Sequence, residues 1–369
     1  MGELSLRHGT FPAAPRPRGV FTEITPMNTA VTTLALTLIA STGVHAATDA
    51  STPATVRYGA QLEGFEYPHP VQRFRFTSQQ QALEMAYMDV KPVGTPSGRT
   101  VVLLHGKNFC GATWQETLRV LSAAGHRVIA PDQIGFCAST KPAGYQFSFG
   151  QLATHTHALL KSLDVKQAVI VGHSMGGMLA TRYALMHPEA TEQLVLVNPI
   201  GLEDWQAAGV PYATIDAQYQ GELKTTFDSI KAYQLRFYYN GQWKPEYDRW
   251  VQMQAGLYAG AGRERVAWNQ AQTSDMVFTQ PVVHEFPKLK VPTLLMIGGK
   301  DRTAPGANRA PKDVAERLGD YPALGRAAAK AIPRSTLVEF PELGHSPQVE
   351  APAVFHEALL KGLVHPAAR

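Results

Sequence analysis

Short apolar runs and amphipathic stretches alternate along the first half of the chain. The runs at 100–104 (TVVLL), 127–131 (RVIAP), 168–171 and 194–197 suit strands buried on both faces of a parallel sheet. Between them, 113–124, 149–163 and 178–186 carry helical spacing, with Leu152, Leu159, Leu160 and Leu163 near one face. The first of these helices ends near Gly125 and the last stops before Pro188. Upstream, 72–76 and 84–90 have strand composition, and 94–98 reads as a turn. Strands alternating with helices predict βαβ units, and hence an α/β fold with a doubly wound, mostly parallel sheet.

The alternation stops at Ile200. Residues 200–288 hold no strand run and are crowded with aromatics, among them Trp205, Tyr212, Tyr233, Phe237, Tyr238, Trp250 and Phe278. Breaks at Gly221, Gly241, Pro245 and Gly260 predict three or four helices. Strand runs resume at 291–297 and 336–340. The expected organisation is an N-terminal extension over 1–46, a sheet domain in two parts over 47–199 and 289–369, and a helical insert over 200–288 between them. No internal repeat is visible.

Composition adds exclusions. The chain has 369 residues, 44% hydrophobic and 17% charged, which excludes a disordered protein. A formal net charge of +4 without any Lys/Arg-rich run argues against nucleic acid as a partner. Residues 34–40 form a short apolar run, and Val44-His45-Ala46 has the small-x-small pattern that precedes signal cleavage. A cleaved export signal is therefore expected, with Met1 or Met27 as its start and no stable membrane span after removal. A retained anchor and a structureless tail are the alternatives. A periplasmic or secreted location follows from the first reading.

The strongest chemical signal is Gly172-His173-Ser174-Met175-Gly176-Gly177, after a strand and before a helix. A serine on so tight a turn needs small neighbours, because a Cβ two residues away would strike the turn backbone. Composition alone would produce G-x-S-x-G roughly 0.1 times in such a chain. The serine needs a base, and His345 follows a strand in a Gly-His loop near the C-terminus. The base needs an orienting acid, and Asp301 ends the strand–Gly-Gly segment at 294–301. Asp204 is the second candidate for that role. An oxyanion hole needs two backbone N–H groups: Met175 supplies one, and Lys107, with Asn108 as second choice, the other. His105 and His173 are expected to brace and pack, and His155 and His157 to be structural.

These residues together resemble the α/β-hydrolase family, on His105-Gly106, the elbow at 172–177, the Asp301 loop, Gly344-His345 and the turn at 131–136. The resemblance covers the chain from about residue 101 to its end. It implies an eight-stranded, mostly parallel sheet with a helical cap inserted after strand six, where the aromatic segment falls. The gap of 345 − 301 = 44 residues between acid and base departs from the family, and its extra material at 302–331 is expected at the site rim.

A serine rather than an aspartate at the elbow points to acyl transfer to water, with no cofactor and no metal. The expected activity is hydrolysis of a carboxylic ester of a small to medium, largely apolar molecule. Alternatives are a C–C bond (diketone) hydrolase, a cofactor-free perhydrolase, and a non-catalytic ligand-binding protein on the same scaffold. Asn108, Trp205, Phe237 and Tyr238 are the expected substrate contacts. Cys110 and Cys137 follow neighbouring strands and are a candidate disulfide.

Overall fold

The computed structural model describes residues 56–363. The export signal expected within 1–46 lies outside the described residues. One eight-stranded sheet has the order β1-β2-β4-β3-β5-β6-β7-β8. Its strands are β1 (Val71–Ser78), β2 (Gln81–Val90), β3 (Thr100–Leu104) and β4 (Arg127–Pro131). They continue with β5 (Ala168–His173), β6 (Thr191–Val197), β7 (Thr293–Gly298) and β8 (Ser335–Phe340). β1 pairs antiparallel with β2, and β2 with β4; every later pairing is parallel.

The apolar runs lack polar alternation because helices cover both faces of the sheet. Val102, Leu104, Ile129, Ile170, Leu196 and Ile297 point into one core, and Val101, Leu103, Val128, Val171, Val197 and Met296 into the other. Helices α1 (Gln115–Ala123), α2 (Phe149–Ser162) and α3 (Met175–Met186) follow β3, β4 and β5. Leu152, Leu159 and Leu160 of α2 pack into the first core, and Leu118 and Leu121 of α1 into the second.

Between β6 and β7 lie α4 (Ile215–Glu222), α5 (Phe227–Phe237), α6 (Asp248–Ala259) and α7 (Arg263–Thr279). Most aromatics of this insert serve its own packing. Tyr239 stacks on Tyr247 at 3.9 Å between ring centroids, with Trp243 edge-on to both at 5.6 Å. Between β7 and β8 come α8 (Lys312–Ala315) and α9 (Tyr321–Ala331), and after β8 come α10 (Pro347–Glu350) and α11 (Pro352–Gly362). No helix among the described residues is long and apolar enough to cross a membrane.

Two element ends differ from expectation. α3 starts at Met175 rather than 178, because the elbow feeds straight into the helix and Gly176-Gly177, poor helix formers, disguise its first turn. α1 starts at Gln115, after a 3-10 turn over Gly111–Trp114.

Candidate active site

β5 ends at His173 and α3 begins at Met175, so Ser174 alone makes the turn. Its φ of 55° and ψ of −122° form a backbone conformation that costs a non-glycine residue about 1–3 kcal/mol. The glycines are steric necessities. A Cβ on Gly172 would sit 2.1 Å from Gly176 O, and one on Gly176 2.2 Å from Leu104 O. The Ser174 carbonyl accepts from the N–H groups of Gly177 at 2.9 Å and Ile200 at 3.2 Å, which pins the strained residue. Ser174 is 4% exposed and lines a cavity of about 340 Å³.

His345 and Asp301 are both fully buried. Imidazole Nδ1 lies 2.6 Å from Asp301 Oδ2, so its proton faces the carboxylate. The remaining Asp301 capacity is filled by Thr303 N–H on Oδ1 at 2.8 Å and by Asn198 Nδ2 on Oδ2 at 2.9 Å. His345 Nε2 is buried and has no hydrogen-bond partner among the described residues. His345 N–H donates to Tyr238 O at 3.1 Å, and Gly344 N–H to Glu350 Oε2 at 2.6 Å, which fixes the loop that carries the imidazole. The other candidate acid, Asp204, is engaged elsewhere, with its Oδ2 2.8 Å from His284 Nε2.

The loop after β3 meets the serine directly. A Cβ on Gly106 would lie 3.0 Å from Ser174 Cβ and 3.1 Å from His173 Nδ1, so any larger residue would press on the elbow. His105 donates from Nδ1 to Gly106 O at 2.9 Å and accepts at Nε2 from Gln133 N–H at 3.0 Å. Burial lowers its pKa, which matches this neutral tautomer. Phe109 N–H closes the turn onto Gly106 O at 3.0 Å, and no described residue accepts from the N–H of Lys107 or Asn108. Met175, at the first position of α3, carries one of the helix's unpaired N–H groups on the positive end of its dipole. His173 donates from Nε2 to His345 O at 2.8 Å, and burial holds its imidazole well below the usual range. It buttresses the base as a neutral group.

Cys110 and Cys137 are joined in a disulfide, with Cα atoms 6.0 Å apart, binding the loop after β3 to the loop after β4. Asp132 lies beside the two sulfurs with metal-like spacing. Its carboxylate already accepts from Tyr67 OH at 2.5 Å, Gly111 N–H at 2.7 Å and Ala138 N–H at 3.0 Å. With the sulfurs bonded to each other neither offers a thiolate, and both Asp132 oxygens already accept hydrogen bonds.

The structure divides the expected substrate contacts. Asn108 and Tyr238 line the cavity, joined by Asn108 Nδ2 donating to Tyr238 OH at 2.9 Å. Trp205 and Phe237 do not line it. Trp205 is 2% exposed inside the core, its indole N–H donating to Glu203 Oε1 at 3.2 Å. Phe237 packs on Tyr233, 4.9 Å between centroids, at the end of α5. Aromatic content alone does not say which face of an insert meets the cavity, and Tyr233, Tyr238 and Phe278 take that place. A larger surface cleft, about 730 Å³ and bordered by Phe65, His69 and Arg249, holds none of Ser174, Asp301 and His345.

Asn198 was missed from sequence. It follows β6 directly, at the carboxyl edge of the sheet where ligand-binding residues collect, and that position was the signal available.

The alpha/beta hydrolase fold family matches residues 99–352, and the chain belongs to it. It is 59% identical to the crystal structure of a probable hydrolytic enzyme from Pseudomonas aeruginosa PAO1, with a TM-score of 0.83 over 84% of this chain and 99% of that one. It is 26% identical to Lipase 1 of Psychrobacter immobilis over 267 residues, 70% of this chain and 74% of that protein. It is 34% identical to 2-hydroxymuconate semialdehyde hydrolase of Pseudomonas sp. strain CF600 over 108 residues, covering 29% of this chain and 38% of that protein. Fold, site and relatives together define a hydrolase.

Proposed function

We propose that this chain is an exported serine hydrolase that cleaves carboxylic esters through an acyl-enzyme on Ser174. The observation that carries the reading is His345, whose Nδ1 is 2.6 Å from Asp301, whose buried Nε2 is unpartnered, and whose ring lies 5.0 Å from that of His173 at the strained serine elbow. Neutral His345 takes the proton of Ser174 Oγ as the oxygen attacks the ester carbonyl. Asp301 holds the tautomer and stabilises the imidazolium. The N–H groups of Lys107 and Met175 receive the oxyanion. Collapse expels the alcohol, which takes the proton from His345. Water then attacks the acyl-enzyme, again with His345 as base, and releases the acid and free Ser174. The Cys110–Cys137 bridge supports export, since disulfides persist in oxidising compartments.

The test is covalent labelling of the intact protein by a fluorophosphonate, followed by peptide mapping. A label on Ser174, absent in Ser174→Ala, is expected. An unlabelled, folded protein would make it a binding protein on a hydrolase scaffold. The semialdehyde hydrolase relative favours C–C bond cleavage as the second reading. Turnover of a p-nitrophenyl acyl ester against a vinylogous diketone separates the two.

A further inference from the structure

The long segment between Asp301 and His345 brings residues into the cavity that the triad does not use. Thr303, Pro305, Gly306, Asn308 and Arg309 form part of the wall that also holds Ser174. Three charged side chains line this cavity: Lys107, Glu222 and Arg309. The first two cancel. Lys107 Nζ is 3.1 Å from Glu222 Oε1 and also donates to Gln270 Oε1 at 3.1 Å, while the second Glu222 oxygen accepts from Tyr258 OH.

Arg309 has no such partner. Its hydrogen bond among the described residues is a long one, Nε to Pro211 O at 3.4 Å, which leaves both Nη groups uncommitted. No carboxylate among the described residues pairs with it. The guanidinium is nonetheless held in place. Its carbon lies 5.6 Å from the centroid of the Phe278 ring, within cation–π range. Gly306 has a φ of +82°, and a Cβ there would come within 2.7 Å of Nη2, so this glycine makes room for the head group. A guanidinium with two free Nη groups is suited to bidentate contact with a planar anion. The same cavity wall includes apolar Ile200, Val277 and Phe278.

We infer that Arg309 is a specificity-determining residue, and that the substrate of the Ser174 site is an ester carrying one carboxylate at the end away from the scissile bond. This rests on the ester-hydrolase reading and narrows its substrate class. One unneutralised positive charge matches one carboxylate. A phosphate dianion would need a second free cation, and the remaining cation, Lys107, is spent on Glu222. The arginine sits at the cavity mouth with its residue exposed, so solvent moderates the attraction and added salt weakens it.

Monoethyl adipate and ethyl adipamate have nearly the same size and differ in carrying a carboxylate or a neutral amide. The experiment measures kcat/KM for both with the parent enzyme and with Arg309→Gln. A preference of about tenfold for the half-ester is expected in the parent, falling to about one in Arg309→Gln and shrinking with salt. Equal rates in the parent, or a preference that survives Arg309→Gln, overturns the proposal. A second arm measures binding of the same two compounds by calorimetry to Ser174→Ala, with and without Arg309→Gln. Half-ester binding that depends on Arg309, without turnover of either ester by the parent, keeps the anion site and removes the esterase reading. Turnover of both esters with equal binding removes the anion site and keeps the esterase.

Discussion

Asn198 Nδ2 donates at 2.9 Å to Asp301 Oδ2, the oxygen that also faces His345 Nδ1 at 2.6 Å. The same amide accepts Gly298 N–H on its Oδ1 at 3.0 Å, so its orientation is fixed from both ends. Asn198 follows β6 and Gly298 ends β7, so the side chain ties the end of β6 to the strand that leads to the acid. We expect it to act as a positioning residue. Asn198→Ala removes a hydrogen bond to a charged group, and kcat on a simple ester should fall roughly 10- to 100-fold with little change in KM. Fluorophosphonate labelling of Ser174 should slow in parallel. An unchanged kcat in a folded variant would show that Thr303 N–H and the buried setting suffice to hold Asp301.

Ser174 should show a trade of stability against activity. Its positive φ is strained for serine and open to glycine. Ser174→Gly should therefore unfold at higher denaturant concentration than the parent, by about 1 kcal/mol. Ser174→Ala keeps the strain and should not gain. Both should lose roughly 10⁴-fold or more in ester hydrolysis, since only oxyanion and binding effects remain. A glycine variant less stable than the parent would refute the strain reading.

Much of this was legible because the physics is local. The runs at 100–104 and 127–131 coincide with β3 and β4, since strands covered on both faces must be apolar throughout. The Gly-x-Ser-x-Gly spacing is equally local, as the contacts at Gly172 and Gly176 show. Trp205 lies in the core and not in the cavity wall, and periodicity cannot say whether an aromatic in an insert faces its own core or the cavity. The segment 302–331 was expected at the site rim, but nothing in it singled out Arg309. A lone arginine in a Gly/Pro-rich loop reads as solvated, and only the tertiary placement of Phe278 and the pairing of Lys107 with Glu222 give it meaning.

The disulfide should matter for stability and for rate. It closes a span of 27 residues, for which the loop-entropy model gives roughly 3–4 kcal/mol. Cys110 directly follows Phe109, whose N–H closes the turn that presents Lys107. Replacing both cysteines by alanine should lower the unfolding midpoint and reduce kcat more than it raises KM. A double variant of parental stability and kcat would mean that packing around Phe109 and Phe136 fixes the loop without the bridge.

Lys141 should give the stability of this region a pH dependence. Its side chain is buried, with Nζ donating to Cys137 O at 2.5 Å and Ser139 O at 3.2 Å. Burial lowers its pKa from 10.5 to about 7, against the opposing pull of Asp132. The unfolded chain therefore holds this proton more tightly than the folded one between about pH 7 and 10.5. Stability from this group rises with pH across that window, by up to about 1.4 kcal/mol per pH unit. Below the window both states are protonated and the cost of burying the charge is complete. Lys141→Met removes the titration but leaves two carbonyls short of a donor, which adds an offset that does not depend on pH. The slope is thus the quantity to read. Denaturant unfolding of parent and variant at pH 6, 7, 8, 9 and 10 should show the parent gaining on Lys141→Met as pH rises. A difference constant across the series would mean that Lys141 keeps an ordinary charge through its two carbonyl contacts.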